Sequence, residues 1–212
     1  MICGVDEAGK GSVLGPLVVA AVAIPSECAL DDLGVKDSKL LSPKERERLY
    51  SLIRKRCKVA TVQLDAADID AVRLEMTLNV AVARTHAQAI NKLSPACAYV
   101  DACDVNCLRY AEMVKRYLTH PCEIVSEHHA DDKFPVVSAA SIVAKVTRDR
   151  AIATLSKKYG EIGSGYPSDP ITIRFLNTWI DEHKTPPPIA RMSWKTVSAI
   201  LARKHQRSLL DF

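Results

Sequence analysis

Eight consecutive apolar residues, Leu17–Ile24, lie between Gly15-Pro16 and Pro25, and this run most limits the folds open to the chain. It falls far short of the ~20 residues needed to span a bilayer, and its valine and alanine content predicts a buried strand. Ile2–Val5 is a second short apolar run, with glycines and a proline marking a turn between the two. Ser42-Pro43-Lys44-Glu45 has the serine, first-turn proline and third-position glutamate of a helix start, predicting a helix to about Cys57. Further strands are expected at Val59–Leu64, Cys97–Val100 and Glu123–Val125, and helices at Glu75–Leu93, Leu108–Leu118 and Pro135–Tyr159. Gly163–Pro170 reads as a loop ending in an Asp169 cap, followed by helices near Ile171–Glu182 and Trp194–Lys204. Strands and helices alternate to about residue 160 and helices alone follow, so the fold class is α/β, a sheet flanked by helices, with a small C-terminal helical appendage.

At 212 residues, 48% apolar and 25% charged, the chain has an ordinary globular composition, which excludes a disordered one. No basic and apolar leader opens it, and a soluble cytoplasmic protein without membrane attachment is expected. The net charge of +4 names no partner, but His183–Leu210 holds six lysines and arginines and no acid. Such a stretch suits a polyanion, and equally a solvated helix face. Seven cysteines are an odd number, so reduced thiols are expected rather than a disulfide framework. A zinc reading would draw on Cys97, Cys103, Cys107 and Cys122 with His120, His128 and His129, whose spacings match no common zinc module.

Acids follow three of the expected strands: Asp6 and Glu7 the first, Asp101 the Cys97–Val100 strand, and Asp131 the Glu123–Val125 strand. Strand carboxyl ends form the functional rim of α/β folds, so these four carboxylates could meet. Taken singly, each is a surface, turn or cap residue. Gathered, two anions ~4 Å apart repel by ~4 kcal/mol at an effective dielectric of 20. Magnesium or manganese would offset that repulsion, and such ions support phosphodiester hydrolysis. Gly9-Lys10-Gly11 comes next and, with Gly4, nearly spells a P-loop. Gly11 stands where Ser or Thr is needed, and Asp6 and Glu7 would face the phosphates. What remains is a backbone-exposed turn with one cation, able to approach a sugar or phosphate closely, or a simple connection between strands.

The stretch Asp6-Glu7-Ala8-Gly9-Lys10-Gly11, running into Leu14–Ala20, resembles the opening of ribonuclease HII. The likeness continues through Val35–Lys39, Ala98–Asp101, Glu127–Pro135, Ala139–Lys145, Gly163–Pro170 and Arg191–Val197, covering nearly the whole chain in order. It is closest to the archaeal single-subunit form. The resemblance implies a ribonuclease H-like fold and endonucleolytic cleavage of RNA in RNA–DNA hybrids. It also implies cutting 5′ of single ribonucleotides in duplex DNA, leaving 3′-hydroxyl and 5′-phosphate ends by two-metal hydrolysis. Asp6, Glu7, Asp101 and Asp131 are then the catalytic acids that bind two magnesium or manganese ions, and Asp132 is read as a solvated neighbour. Gly9, Lys10 and Gly11 are expected at the ribose 2′-hydroxyl and flanking phosphates, and Tyr166 against the sugar where ribonucleotide passes to deoxyribonucleotide.

Lys39 and Ser141 are expected to bind substrate as well. Ser138, Ser141 and Lys145 recur at i, i+3 and i+7, placing two hydroxyls and an ammonium on one helix face. That face would hold backbone phosphates if it looked toward the acids; packing and solvated surface are the other readings. Residues 1–165 are expected to form the catalytic domain, 166–205 a helical substrate-binding region and 206–212 a tail. Gln206, Leu209 and Phe212 in that tail resemble the sliding-clamp peptide of archaeal members, and the family suggests a monomer. A clamp-tethered nucleic-acid-binding module without catalysis is the alternative; it leaves the acids unexplained.

Overall fold

The computed structural model describes residues 1–25, 30, 34–35 and 41–210, with side chains of the last helix described through residue 204 and at 206. The expected contact from Lys39 and the Phe212 anchor lie outside the described residues, as does the side chain of Leu209.

Strands β1 (Ile2–Ala8), β2 (Leu17–Ile24), β3 (Lys58–Leu64), β4 (Cys97–Asp101) and β5 (Glu123–Glu127) form one sheet in the order β3-β2-β1-β4-β5. β2 runs antiparallel to β1, while β4 and β5 run parallel to it. The helices are α1 (Pro43–Arg56), α2 (Ala66–Glu75), α3 (Leu78–Asn91), α4 (Cys107–Lys115), α5 (Ala130–Lys133), α6 (Pro135–Tyr159), α7 (Pro170–His183) and α8 (Lys195–Leu210). Among the described residues no helix is long and apolar enough to cross a membrane.

The chain divides into two compact bodies, and not at a single point: the second takes Gly9–Leu17 and Leu64–Glu75 besides everything from Arg148 onward. In the first, the sheet has an apolar cluster on each face. Ala20, Val22 and Ile24 pack with α1 and the first half of α6; Cys3, Val5, Val19 and Ala21 pack with α3 and α4. This alternation is the two-residue period of strands buried on both sides. In the second, Val13, Leu14, Ile152, Ile162, Leu176, Ile180, Val197 and Ile200 form a core of their own.

Several elements depart from what the sequence suggests. β1 does not stop at Val5: its ladder with β2 continues through Asp6↔Ala20 and Glu7↔Val19 to Ala8↔Val18. Both acids therefore sit on the strand rather than after it. The helix expected over Glu75–Leu93 is α3, which starts at Leu78 because Thr77 caps it by accepting the Val80 amide, whereas α2 before it is not among the expected elements. α2 carries no apolar stripe, and only Ala66 and Ile69 are buried. It begins at a reciprocal pair in which Asp65 and Asp68 each accept the other's backbone amide. α8 continues past Lys204 into the tail.

One close approach fixes α6 against the sheet. A Cβ on Gly4 would lie 2.2 Å from the Val136 backbone carbonyl carbon and oxygen. Gly4→Ala must therefore push α6 off β1. We predict destabilisation of ~1–3 kcal/mol, a melting temperature lower by roughly 2–12 °C. A scan unchanged within about one degree would contradict the packing described.

Candidate active site

The pleat of β1 sends neighbouring side chains to opposite faces of the sheet. Asp6 shares the α6 face with Gly4 and takes a hydrogen bond from Ser141 of that helix. It also accepts the Glu7 amide at 2.7 Å. Glu7 shares the α3/α4 face with Cys3 and Val5. There His86 Nε2 lies 3.1 Å from Glu7 Oε2, and the Cys103 thiol donates to Glu7 Oε1 at 2.9 Å. Behind it, His86 Nδ1 lies 3.2 Å from the Tyr110 hydroxyl, and both side chains are fully buried.

Asp101 closes β4, whose parallel register with β1 pairs Val100 with Val5. Its Oδ1 accepts the Ala130 amide at 2.8 Å, which ties β4 to the start of α5. On that short helix Asp131 is buried and Asp132 exposed. His129, in the left-handed region at φ 53°, turns the chain into α5.

Asp6 feels the charges of Glu7 and Asp101, and Asp101 those of Glu7 and Asp131, so the four carboxylates form one electrostatic group. Burial foremost, then the Glu7 charge, holds Asp6 well above the usual carboxylate range against the Ser141 hydrogen bond. Asp101 is also raised, by burial first and then by Glu7 and Asp131, while the Ala130 amide and His86 pull the other way. Buried carboxylate oxygens crowded in this way are a donor set that fits hard divalent cations.

The helix face of Ser138, Ser141 and Lys145 is not solvated surface. Ser138 donates to the Val35 carbonyl, Ser141 meets Asp6, and Lys145 Nζ donates to Ser141 Oγ at 2.8 Å. His86 and Tyr110 carry no signal in the sequence, because a histidine among the alanines of α3 reads as core; Cys103 is singled out there only as one of four cysteines whose spacing matches no common zinc module.

In the second body Gly9 adopts φ 85°, and a Cβ there would strike Arg148 Nε at 2.4 Å. The turn is held from beneath by Arg191, fully buried 181 residues further along. Its guanidinium donates to the carbonyls of Gly9 (2.7 Å), Lys10 (3.0 Å) and Gly15 (3.0 and 3.1 Å). Burial, then the positive charge of Arg148, pulls Arg191 down to about 9; at neutral pH it remains a charged donor. Asp70 of α2 anchors the segment after Arg191 by accepting the Met192 and Ser193 amides at 2.7 and 2.9 Å.

The amides of Val13 and Leu14 donate to the Gly165 carbonyl at 2.8 and 3.1 Å, joining this turn to the loop that carries Tyr166. Tyr166 is half-buried, with the Arg148 guanidinium 4.6 Å from its ring centre. Arg148 also donates to the Ser164 carbonyl at 2.9 Å. Asp169 caps α7 as expected and is pushed down to about 2 by hydrogen bonds, led by the Ser164 amide. Gly11 is exposed, and a Cβ there would meet nothing within 4 Å. Gln206 lies exposed on α8.

Comparison with protein families matches residues 3–197 to Ribonuclease HII. The ribonuclease HII of Methanoregula boonei is 69% identical over 212 residues, covering all of both chains. Among solved structures, the Archaeoglobus fulgidus ribonuclease HII, in complex with PCNA, is similar at TM-score 0.88 and 44% identity. The match covers 94% of this chain and 96% of that one. The ribonuclease H2 of Pyrococcus horikoshii gives TM-score 0.89 and 40% identity over 97% of this chain and 99% of its own. With the mixed sheet and the gathered acids, these likenesses place the chain in the ribonuclease HII family of metal-dependent endoribonucleases, which act on RNA–DNA hybrids.

Proposed function

We propose that the chain cuts the RNA strand of hybrids and also nicks duplex DNA on the 5′ side of a single embedded ribonucleotide, with Asp6, Glu7, Asp101 and Asp131 holding two magnesium or manganese ions. The observation that carries this reading is the crowding of four carboxylates from three separate segments, with Asp6 and Asp101 raised by burial and by their neighbours. When bound, the ions supply the positive charge that favours attack by water and departure of the 3′ oxygen. The chain's own residues set the geometry. The β1 ladder fixes Asp6 and Glu7, the Ala130 amide orients Asp101, and Ser141 orients Asp6.

Recognition of the sugar falls to Gly9, Lys10, Gly11 and Tyr166. The 2′-hydroxyl is the group that separates RNA from DNA. A turn whose carbonyls are gathered beneath it by Arg191 supports approach by a sugar edge. The Tyr166 ring, oriented by Arg148, offers a flat face to the deoxyribose that follows. Gln206, Leu209 and Phe212 are assigned to a sliding clamp, a reading supported by the PCNA complex of the Archaeoglobus fulgidus relative.

The test is gel-resolved cleavage of a labelled DNA duplex carrying one ribonucleotide, with magnesium, manganese or chelator. A metal-dependent cut immediately 5′ of the ribonucleotide is expected. Tyr166→Ala should slow that cut by roughly 5–150-fold, the ~1–3 kcal/mol of an aromatic stacking contact, and affect continuous hybrid less. Cutting of continuous hybrid alone would keep the acids and overturn the sugar reading. Silence on both substrates from folded protein would leave a nucleic-acid-binding module.

A further inference from the structure

The surroundings of Glu7 differ in chemistry from those of the other three acids. Its two oxygens are met by an imidazole nitrogen and a thiol, and the ligand atoms of Glu7, His86 and Cys103 all lie within 4.8 Å of one another. They come from three segments: the end of β1, the middle of α3, and the connection from β4 to α4. We propose that Glu7, His86 and Cys103 form a second metal site, selective for soft divalent ions of the zinc class, which claims Glu7 and so opposes loading of the hard ion. The competition, though not the binding, rests on the reading of Glu7 as a magnesium or manganese ligand.

The donor set is the first argument. A carboxylate, an imidazole and a thiolate suit zinc, whereas magnesium prefers oxygen alone. The two anions balance the charge of the ion, and a fourth position stays open to water. Size is the second argument. Zinc bonds of ~2.0 Å to N or O and ~2.3 Å to S set tetrahedral ligand atoms roughly 3.3–3.6 Å apart. The observed contacts, 3.1 Å from nitrogen to one Glu7 oxygen and 2.9 Å from sulfur to the other, would open by about 0.2 and about 0.6 Å to reach that spacing.

The third argument is the support behind the histidine. A metal-bound imidazole presents one nitrogen to the ion and gives its other N–H to a partner. Tyr110 stands at Nδ1 for that purpose, 3.2 Å away and buried. A hydroxyl both donates and accepts. Without metal Tyr110 donates to Nδ1 while Nε2–H donates to Glu7; with metal Nδ1–H donates to Tyr110 and the Nε2 lone pair faces the ion. Binding releases the Cys103 thiol proton to solvent. His86 is fully buried, whereas Glu7 keeps 11% of its side-chain surface exposed and Cys103 is partly exposed, so the approach for the ion is from the side of Glu7 and Cys103.

Cobalt(II), a spectroscopic substitute for zinc, provides the test on the full-length protein without magnesium. A thiolate-to-cobalt charge-transfer band is expected for the wild type and for Cys97→Ser, and should disappear on addition of zinc. Cys103→Ser and Cys103→Ala should lack the band and weaken zinc binding, read by competition with a chromophoric chelator, by more than the roughly 10–100-fold that loss of an outer partner costs. X-ray absorption of the zinc-loaded wild type, which needs no variant, should show one sulfur neighbour and lighter atoms otherwise.

No band, a band that survives in Cys103→Ser and Cys103→Ala, or a shell of two or more sulfurs would each overturn the site. In cleavage of continuous hybrid, the zinc concentration that halves the rate should rise in proportion to magnesium. It should rise by at least tenfold in Cys103→Ser, each variant compared with its own zinc-free rate. A cobalt band that requires Cys103, with zinc inhibition indifferent to magnesium, would support the soft site and remove Glu7 from the hard-ion set.

Discussion

Asp101→Asn is expected to lower cleavage by about a thousandfold or more while making the metal-free protein more stable. Under the proposed assignment the loss follows from removing one anionic ligand from a site whose ions would supply several kcal/mol to the transition state, at ~1.4 kcal/mol per tenfold in rate. The gain follows from the electrostatics of the empty cluster. Asp101 and Asp6 are both raised above their unfolded-chain values, so unfolding releases protons between the unfolded and folded values. The stability each contributes is fully present below the unfolded carboxylate pKa and is lost as pH rises through the raised one. Asparagine keeps an oxygen for the Ala130 amide and discards the charge.

At neutral pH in chelator we expect the variant to be more stable by ~1–3 kcal/mol, a melting temperature higher by several degrees. Its stability should also fall less steeply as pH rises above the ordinary carboxylate range. Calorimetry in chelator and single-turnover cleavage at saturating metal measure the two effects. Retained turnover would remove Asp101 from the mechanism. A lower melting temperature in chelator would refute the account of crowding.

Arg191→Met should be among the most damaging single changes in the second body. The guanidinium serves the carbonyls of Gly9, Lys10 and Gly15. A methionine of similar volume leaves them without a donor in a place closed to water. Breaking a buried charged network of this kind costs ~3–5 kcal/mol, and roughly 6–20 °C in melting temperature for a chain of this size. Arg191→Lys should recover only part of the loss, because an ammonium lacks the planar fork that reaches three acceptors together. A melting temperature within two degrees or so of the wild type for Arg191→Met would show that the turn stands without this support.

Much of this architecture is legible in the sequence because its signals are local. The bounds of β2 follow from Gly15-Pro16 and Pro25, those of α6 from Pro135 and Gly160, and the start of α7 from Asp169-Pro170. The candidate acids are legible as polar residues abutting apolar runs. What was not legible depends on partners distant in sequence. Asp6 and Glu7 look like loop residues because they are charged, and only the ladder with β2 holds them in extended chain. α2 buries only Ala66 and Ile69, and its role is seen in Asp70 accepting two amides 122 and 123 residues further on. His86 and Arg191 read as an ordinary core histidine and one more basic residue until tertiary structure supplies Glu7 and the glycine turn.

The pleat of β1 has a consequence for how the site is first assembled. Were β1 to pair with β2 one residue out of step, every side chain along it would change faces. Asp6 would then look toward His86 and Cys103, and Glu7 toward Ser141. Slipped and correct pairings contain the same residues and the same total charge, but only one presents the oxygens as built.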